Sequence, residues 1–494
     1  MTELVQYQML IDGKWVGSSD GVTIESVDPS TGRPWCIVPD ASAEDTDRAV
    51  RAAHRAFTQG PWPKMTPTER GKLLRRLAEL MVEHSETLGR VETIDTGKLF
   101  KETRWQGNYV ADYYHYFAGL ADKVHGETLP IDKRDMHVFT VREPLGVVAG
   151  VIPWNSQILL AATKLGPALA AGNTIVLKAS EMAPAPLLEF GKLIGKAGFP
   201  DGVVNIISGS ASRCSHTLTT HPLVARIAFT GGDATARHII RNSAENLARV
   251  TLELGGKSPV MVFNDADLES ATNGTISGIF GAAGQTCVAG SRVFLQEDIA
   301  DQVLSALVDR ASAIRIGNPL DDATQMGPLA TQGQLSRIES AMEKARAQGA
   351  NVLCGGGRPS SMNEGFYFSP TIVDCRDSKF DLAEQELFGP VLCAFRFKDE
   401  EEAIAQANDT RFGLAAGIFT RDLGRAHRVA KATRSGIVWV NTYRMVSPIA
   451  EFGGMKDSGY GRESGMQAIY DYTTTKTIWI NTSTDPIGNP FVMR

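Results

Sequence analysis

The spacing of hydrophobic residues changes character near residue 145. Before it, apolar positions recur every three or four residues, which predicts helices over 43–58, 67–88 and 98–118. A short alternating segment, QMLIDGKWVG, precedes them and predicts a β-hairpin. After residue 145, uninterrupted apolar runs alternate with helical runs, which is typical of a parallel sheet covered on both faces. This part of the chain predicts a doubly wound α/β fold, with the strands GVVAGVI, TIVLK, VVNIIS, ARIAF and VTLEL.

A second α/β series follows, from PVMVF near residue 260 to GIVWVN near residue 440. The final segment, YDYTTTKTIWINT, alternates in polarity and is expected to pair with the strand-like stretch around 125–143. Such a sheet would join two distant pieces of the chain. At roughly 150 residues per domain, the 494 residues predict about three domains.

Composition and charge exclude several classes of protein. Hydrophobic residues make up 43% and charged residues 21% of the chain, as in ordinary globular proteins. The net charge of −6 argues against nucleic acid or an anionic membrane surface as a partner. The uncharged stretch from Pro144 to Thr163 contains prolines and amides, so it indicates a buried strand and helix and not a membrane span.

The cysteines and the first residues favour a cytoplasmic protein. Six scattered cysteines without a CxxC pair are typical of free thiols in a reducing compartment. The opening residues include Glu3 and Asp12 and lack the basic and apolar regions of a secretory signal. The histidines form no HxH or HExxH pair, so we expect no metal site.

Candidate ligand-contacting groups follow the strands of the first series. Ligands of open parallel sheets bind beyond the carboxyl ends of the strands, so these groups are expected to share one cleft. The GxGxxG fingerprint is absent, although Gly231 and Gly232 before a helix can bring the backbone close to a pyrophosphate. Lys178 and Glu181 suit the two hydroxyls of a ribose, or they form an ordinary exposed ion pair. The other groups of this set are Asn155, Thr230 and Glu253.

Cys287 lies among small residues in the segment GAAGQTCVAGSR. For a single intracellular cysteine, the ordinary interpretation is a small buried hydrophobe. Glycines at the end of a helical run allow a ligand to approach closely and favour an accessible thiol with a lowered pKa. The segment therefore offers Cys287 as a candidate nucleophile.

These motifs occur together in a particular order. VTLELGGKSP is followed by GQTC, whose cysteine lies 34 residues after the glutamate, with PWN upstream and ELFGP downstream. Together they resemble the aldehyde dehydrogenase superfamily, from about residue 8 to residue 480. The resemblance implies a Rossmann-type NAD-binding domain, an α/β catalytic domain and a small bridging sheet used in oligomerisation. Their predicted bounds are 1–123 with 145–254 for NAD binding, 255–455 for catalysis, and 124–144 with 470–494 for oligomerisation.

The resemblance also implies a reaction, the NAD-dependent oxidation of an aldehyde to a carboxylic acid. Cys287 would attack the aldehyde carbon, while the Asn155 amide and the Cys287 N–H would hold the oxyanion. Glu253 would activate the water that hydrolyses the resulting thioester. Lys164 and Glu463 match positions that relay the proton to solvent. The bridging sheet implies a homotetramer, with a homodimer as the alternative.

The cofactor positions follow from the same resemblance. Lys178 and Glu181 match contacts to the adenosine ribose, where an acidic side chain favours NAD over NADP. Glu386 and Phe388 match contacts to the nicotinamide ribose and ring. The chain departs from the family pattern in the turn FTGGDATA. The remaining cofactor positions are Ile152, Trp154, Gly209, Thr230, Gly231 and Leu254.

The acyl pocket differs from that of relatives specialised for small aliphatic aldehydes. Ser156, Thr163 and Gly281 stand where those relatives often carry aromatic rings, so we expect space for a bulky or aromatic aldehyde. Arg444, after VNTY, either meets a carboxylate on the substrate or is an ordinary surface arginine.

An early helix offers a second wall for this pocket. Trp105, Tyr109 and Tyr113 stand at four-residue spacing, as an aromatic wall for a ring-bearing aldehyde or as plain helix packing. The other matched positions are Thr286 and Phe452.

Two other functions stay open. A CoA-acylating semialdehyde dehydrogenase would use CoA in place of water, but that branch lacks the glutamate found here as Glu253. A non-catalytic structural member of the family would be expected to have lost the nucleophile or the base, and Cys287, Glu253 and Asn155 are all present. Use of NADP is discouraged by Glu181.

Overall fold

Helices and strands alternate along most of the chain, as the hydrophobic pattern predicts. The computed structural model describes residues 4–375 and 381–492, so the outermost residues of the predicted domain bounds, 1–3 and 493–494, lie outside the described residues. The α-helices are α1 (Ala43–Thr58), α2 (Pro67–Glu83), α3 (Ser85–Thr96), α4 (Phe100–Leu120), α5 (Gln157–Ala170), α6 (Ala185–Ala197), α7 (His216–Thr220), α8 (Asp233–Asn246), α9 (Leu268–Phe280), α10 (Glu297–Ser312), α11 (Gln332–Ala347), α12 (Asp381–Glu384), α13 (Glu400–Asn408), α14 (Leu423–Ala432) and α15 (Gly465–Asp471). The strands are β1 (Val5–Gln6), β2 (Met9–Ile11), β3 (Lys14–Val16), β4 (Thr23–Asp28), β5 (Arg33–Pro39), β6 (Met136–Pro144), β7 (Val147–Val151), β8 (Thr174–Ala179), β9 (Val204–Ser208), β10 (Val224–Thr230), β11 (Arg249–Glu253), β12 (Pro259–Val262), β13 (Arg292–Gln296), β14 (Asn351–Cys354), β15 (Thr371–Asp374), β16 (Val391–Phe397), β17 (Phe412–Gly413), β18 (Ala415–Phe419), β19 (Ile437–Val440), β20 (Met455–Lys456), β21 (Gly459–Tyr460) and β22 (Thr473–Asn481).

Capping residues determine where the early helices begin and end. Ser42 caps α1, because its Oγ accepts a hydrogen bond from the Asp45 N–H while the Asp45 carboxylate accepts one from the Ser42 N–H. The single helix predicted over 67–88 is wrong, since the chain breaks at His84 and forms α2 and α3. Gly97, at φ +79°, follows α3 in a left-handed conformation that suits glycine.

The first sheet has the predicted doubly wound architecture. Its order is β21-β11-β10-β7-β8-β9-β2-β3, and the strands from β11 to β9 are parallel. Helices α2, α4, α5 and α6 pack on one face, and α1, α7 and α8 pack on the other. The chain runs outward from β7 through β8 and β9, then continues at β10 on the other side of β7. The strand order thus reverses between β7 and β10, where ligands of such sheets bind.

The second α/β series folds around a separate core. Its sheet has the order β14-β15-β16-β13-β12-β18-β19 and is parallel except at β14. Aromatic side chains are prominent in this core, where Phe294 stacks on Phe395 and Phe263 meets Phe397 edge to face. The two series therefore bury different sets of residues.

Two distant segments pair as a long antiparallel ribbon, formed by β6 and β22. The pairs run from Thr473 with Pro144 to Asn481 with Met136, which confirms the predicted pairing. The strand begins later than the sequence alternation suggests, because Tyr470 belongs to α15. Residues 127–129 make a short antiparallel contact with the outer edge of β6, and within the described residues no further strand joins the outer edge of β22.

The uncharged stretch after Pro144 forms β7 and α5. Both elements are largely buried between the sheet and its helices, as expected for a strand and helix of the core. In the part of the chain that the structure describes, no helix is long and apolar enough to cross a membrane.

Candidate active site

The strand register brings the predicted ligand groups to one edge of the first sheet. Thr230 pairs with Glu253, and Val151, which precedes the turn 152–155, pairs with Lys178. A cleft of about 330 Å³ opens there, between the first sheet and residues of the second series. The predicted residues that line it are Trp154, Asn155, Thr230, Gly231, Glu253, Leu254, Cys287, Glu386 and Phe388.

Cys287 reaches the cleft on an irregular turn after α9. Ala282 and Ala283 adopt left-handed backbone conformations, with φ of 51° and 52°. The carbonyl of Gln285 then accepts a hydrogen bond from Asn155 Nδ2 at 3.1 Å. This bond fixes the predicted oxyanion donor to the loop that carries the predicted nucleophile.

The Cys287 thiol is neutral near pH 7 in this structure. Burial, together with the nearby Glu253 and Glu386 carboxyl groups, raises its pKa to about 12. The lowered pKa expected from the glycine-rich segment is therefore wrong. The small neighbours do admit a ligand, but two acidic side chains and a dry environment oppose the thiolate.

Glu253 stands at the end of β11 with only 3% of its surface exposed. Both carboxyl oxygens are buried and have no hydrogen-bond partner within the described residues. Burial raises the pKa of Glu253 well above its usual value; Glu463 raises it further, while Lys164 and Arg462 lower it. A carboxylate with a raised pKa accepts a proton readily, as a general base must.

A buried polar chain lies behind Glu253. Lys164 Nζ donates to Thr230 Oγ1 at 2.7 Å and forms an ion pair with Glu463. Thr163 Oγ1 donates to the second carboxyl oxygen of Glu463 at 2.7 Å. The backbones of Glu463 and Phe452 exchange two hydrogen bonds. The hydroxyl of Thr163, a predicted acyl-pocket residue, is thus used by Glu463.

The predicted adenosine end lies beyond β8. Lys178 Nζ and the Glu181 carboxylate are 2.8 Å apart, and Lys178 is buried while Glu181 is partly exposed. Burial acts to raise the pKa of Glu181, but Lys178 outweighs it and the pKa is lowered. Gly209 lies close to the Ala41 backbone, so a Cβ there would come within 3.0 Å of the Ala41 nitrogen. Ile152 is buried, and its N–H donates to the Lys178 carbonyl.

The turn FTGGDATA, which departs from the family pattern, introduces a carboxylate at Asp233 whose charge is balanced by a nearby arginine. Gly232 precedes α8, whose first residue is Asp233. A carboxylate at this helix start would oppose an anionic ligand, but the Arg411 guanidinium lies 2.7 Å from it. The Arg411 side chain lowers the pKa of Asp233 and balances its charge.

The predicted nicotinamide end is built around Glu386. Its Oε1 accepts a hydrogen bond from the Gly256 N–H at 3.0 Å, and burial raises its pKa to about 7. A Cβ at Gly255 would lie 1.8 Å from Glu386 Oε2, so a larger residue there would displace the Glu386 carboxyl group. The rings of Trp154 and Phe388 meet edge to face across the cleft, with centroids 5.3 Å apart.

The predicted acyl-pocket positions are not empty. The hydroxyl of Ser156 accepts a hydrogen bond from Lys98 Nζ at 2.6 Å. At Gly281, a Cβ would lie 1.9 Å from Arg444 Nη1, which donates to the Ser277 carbonyl at 2.9 Å. The space expected at Gly281 is therefore filled by the guanidinium of Arg444.

The predicted aromatic wall is only partly assembled. The hydroxyls of Tyr109 and Tyr113 are 3.2 Å apart, but Trp105 is 67% exposed and takes no part in this pair. Thr286 borders a separate cavity of about 10 Å³, and its buried hydroxyl has no partner in the described chain. In the described chain, none of the predicted acyl-pocket positions is among the residues that line the cleft of Cys287.

Three residues at the site were not predicted from the sequence. Lys98 binds Ser156, Arg411 balances Asp233, and the Tyr443 hydroxyl donates to the Val288 carbonyl beside the cysteine at 2.9 Å. Each acts across a long separation in the chain, so no local pattern marks it. Among the three, only Tyr443 could have been found from the sequence, because it directly precedes the predicted pocket residue Arg444.

Comparison with known proteins identifies the family and the fold. The aldehyde dehydrogenase family profile matches residues 15–478. The chain belongs to the aldehyde dehydrogenase family. It is 52% identical, over 99% of its length and 100% of the relative, to (Z)-2-((N-methylformamido)methylene)-5-hydroxybutyrolactone dehydrogenase of Acinetobacter baylyi. It is 42% identical, over 97% of its length and 98% of the relative, to betaine aldehyde dehydrogenase of Cereibacter sphaeroides.

A solved aldehyde dehydrogenase from Bacillus cereus, an NAD⁺ complex, has the same fold, with a TM-score of 0.95 and 40% identity over 97% of each chain. The expected family, fold class and reaction class are confirmed: this enzyme is an oxidoreductase that converts an aldehyde to a carboxylic acid. The cleft fits NAD, because Gly231 and Gly232 line it without side chains, open space surrounds Gly232, and Glu386 borders it with a carboxyl acceptor. Within residues 4–375 and 381–492, no cluster of His, Cys, Asp or Glu is placed to hold a metal ion.

Proposed function

We propose that this aldehyde dehydrogenase works through a thioester on Cys287 that water hydrolyses. The observation that carries this proposal is the shared cleft of Cys287, Glu253 and Asn155. A nucleophile, a base and an oxyanion donor within one cleft are the parts required for covalent acyl chemistry. The presence of Glu253 favours water over CoA as the second nucleophile.

The first step forms a bond between the Cys287 sulfur and the aldehyde carbon. The thiol proton passes to solvent in the open cleft, which reaches Cys287 because this residue is only partly buried. One N–H of the Asn155 amide is already donated to Gln285, so the other is available for the oxyanion. The Cys287 N–H is the second donor.

NAD, when bound, accepts the hydride from the carbon attached to sulfur, which leaves a thioester. Trp154, Phe388 and Glu386 would hold the nicotinamide end, and Lys178 with Glu181 the adenosine ribose. Glu253 then removes a proton from water, which attacks the thioester and releases the acid and the free thiol. The proton on Glu253 then passes to the leaving sulfur, and as the acid product ionises, Glu463, held by Lys164 behind the base, would relay the acid's proton toward solvent.

Acyl-enzyme trapping tests this chemistry. Glu253→Gln should release one equivalent of NADH and then stall, because oxidation precedes hydrolysis, and mass spectrometry should find an acyl group on Cys287. Cys287→Ala should produce neither burst nor adduct while it still binds NAD. Steady turnover by Glu253→Gln at the wild-type rate would refute the role of the base.

The substrate is proposed to be larger than acetaldehyde and to carry a ring or a long chain. The relative from Acinetobacter baylyi is named for a hydroxybutyrolactone that bears an N-methylformamido group, which is a molecule of that size. The Tyr109–Tyr113 pair supplies aromatic surface of the kind that packs against a ring. A value of kcat/KM at least about 10-fold higher for a ring-bearing aldehyde than for acetaldehyde is expected.

The enzyme is also proposed to be a cytoplasmic homotetramer, with a homodimer as the alternative. Support comes from the outer edge of β22, which no further strand of the described residues joins and which invites pairing with another copy. The six cysteines, all free, support a reducing compartment. Deletion of residues after Asp471 should abolish assembly in light-scattering measurements, and an active monomer would contradict the proposal.

A further inference from the structure

A pocket of about 650 Å³ is lined by residues of β11, α15 and the ribbon of β6 and β22. It shares no lining residue with the cleft of Cys287. Three arginines line it, Arg142, Arg226 and Arg249, whereas Asp471 is the only acidic lining residue in the described chain. The chain as a whole carries a net charge of −6, so this pocket concentrates positive charge on an otherwise acidic protein.

The observed partners of these arginines are neutral. Arg226 Nη1 donates to the Asp471 carbonyl at 2.9 Å, and Arg249 Nη1 donates to the Thr473 carbonyl at 2.9 Å. The guanidinium carbon of Arg142 lies over an aromatic ring, 4.7 Å from the ring centroid. Among the described residues, none of the three arginines forms an ion pair with a carboxylate. Carbonyl and aromatic groups carry no net charge, so the charge of the guanidinium groups is not balanced by these contacts.

Arg226 is the most deeply buried of the three, with only 4% of its surface exposed. Its Nη2 donates to the Thr251 hydroxyl, and its guanidinium lies over the Tyr472 ring, 4.3 Å from the centroid. Its buried Nε has no hydrogen-bond partner in the described chain. A buried charge without a counter-charge costs free energy, because neutral partners replace only part of its hydration. An anion in the pocket would supply the missing counter-charge.

Two hydroxyl groups on the pocket wall can donate to the same anion. Arg249 Nη2 donates to Thr474 Oγ1 at 3.0 Å, and Arg226 Nη2 donates to Thr251 Oγ1. An arginine has no acceptor atom, so both hydroxyl oxygens receive these bonds and both O–H groups are left to donate. Neither O–H finds an acceptor among the described residues. Guanidinium and hydroxyl donors together are typical of sites that bind phosphate or carboxylate oxygens.

The acidic side chains next to the pocket do not neutralise it. Asp471 Oδ1 accepts a hydrogen bond from the Gln467 amide at 3.4 Å. Glu143, which directly follows Arg142, forms an ion pair with Lys476 across the ribbon. Since three guanidinium groups face a single carboxylate, two positive charges remain in excess. This excess favours a ligand with two negative charges over a ligand with one.

We propose that this pocket binds a small oxyanion with two negative charges, of the class of inorganic phosphate or a dicarboxylate. Arg226 contacts Thr251 of β11, two residues before Glu253, and it also contacts the carbonyl of Asp471, where α15 ends. An anion bound to Arg226 is thereby linked to both elements and stabilises their contact. The site lies outside the cleft of Cys287, so it is independent of the proposed thioester chemistry.

Titration calorimetry of the NAD-saturated enzyme tests the site, because bound NAD occupies the cofactor cleft. Phosphate or succinate should bind with a Kd of about 1 mM or tighter and raise Tm, whereas chloride at equal ionic strength should do neither. Arg249→Gln should weaken binding by about 10-fold, because it removes a charge-assisted donor. Arg241→Gln, which changes an exposed arginine of α8 outside the pocket, is the matched control and should leave binding unchanged.

Arg142→Gln provides a second variant in case Arg249→Gln does not fold. The Arg142 side chain is exposed and makes no hydrogen bond within the described residues, so its loss should leave the fold intact and weaken binding by about 2- to 5-fold. Tighter binding of phosphate than of succinate identifies a phosphate ligand, and the reverse identifies a dicarboxylate; both results support the proposal.

Two results would overturn this proposal. One is the absence of saturable binding of phosphate and succinate to the wild type, or binding that is unchanged in Arg249→Gln and Arg142→Gln. The other is loss of assembly by Arg249→Gln in light-scattering measurements while the wild type binds neither anion. That result would show that the arginines face a second copy of the chain and not a small anion.

Discussion

The two sides of Cys287 are built in different ways. On the cofactor side, short turns after parallel strands place Trp154, Thr230 and Gly231, so their positions follow from the sheet register. On the acyl side, contacts between distant segments dominate, such as Lys98 with Ser156 and Arg444 with Ser277. Backbone geometry recurs wherever the fold recurs, whereas side-chain pairs can change one at a time. A family can therefore keep one cofactor and vary its aldehyde.

Asn155 lies between the cofactor side and the acyl side. Among the substitutions considered below, loss of its side-chain amide is expected to lower the rate most. Asn155→Ala should lower kcat by about 100- to 1,000-fold for every aldehyde, because the oxyanion loses a donor. Binding of NAD, measured by calorimetry, should stay within about twofold. A loss confined to one aldehyde would assign Asn155 to the acyl side alone.

Glu386 tests the cofactor side through pH. Its pKa is raised to about 7, so its carboxylate is present above that pH and protonated below it. NAD affinity of the wild type should therefore fall by roughly 10-fold as pH falls through 7, since a charged acceptor is lost. Glu386→Gln should bind NAD weakly both above and below pH 7. If NAD affinity in that variant still falls with pH as in the wild type, Glu386 is not the group responsible for the pH dependence.

Lys164 tests the region behind the base. Because Lys164 lowers the pKa of Glu253, Lys164→Met should move the rise of kcat to higher pH. Glu463 acts in the opposite direction, so Lys164→Met with Glu463→Gln should return the profile toward that of the wild type. A profile unchanged in the single variant would show that Lys164 does not influence Glu253.

Glu181 is expected to give the smallest effect. Glu181→Ser removes the carboxylate that would repel a 2′-phosphate, so the preference for NAD over NADP should narrow by about 10-fold or less. The ratio of kcat/KM for the two cofactors measures this effect, and the acyl-side variant Ser156→Ala is its control. A wild type that is faster with NADP would contradict the assignment.

Much of the fold could be predicted from local pattern. Helix α1 matches the predicted 43–58, because Ser42 and Asp45 encode its start within four residues. The pairing of β6 with β22 was predicted from alternation alone. The break at His84 was missed, since the apolar spacing continues across it and no glycine or proline marks the change of direction.

In the candidate site, too, features set by local sequence pattern were predicted, and features that depend on distant contacts were missed. Residues at strand ends, such as Glu253 and Thr230, were predicted with their place in the cleft, because strand ends of a parallel sheet meet. The raised pKa of Cys287 was not predicted from the sequence, because it depends on burial and on nearby carboxyl groups, including Glu386 of the second series. The filling of Gly281 by Arg444 was missed for the same reason, because no local spacing relates the two residues.

Strand β11, which carries Glu253, is synthesised long before strand β21, which pairs with its outer edge. The outer edge of β11, which carries Glu253, is covered by β21, where Gly459 pairs with Glu253 and Tyr460 with Leu252. At about 5 to 20 residues per second, a ribosome needs roughly 10 to 40 s to synthesise the chain from Glu253 to Gly459. During that interval the nascent sheet presents an unpaired strand edge, the feature most prone to wrong pairing. The growing chain should therefore need protection from aggregation until Gly459 and Tyr460 have been synthesised.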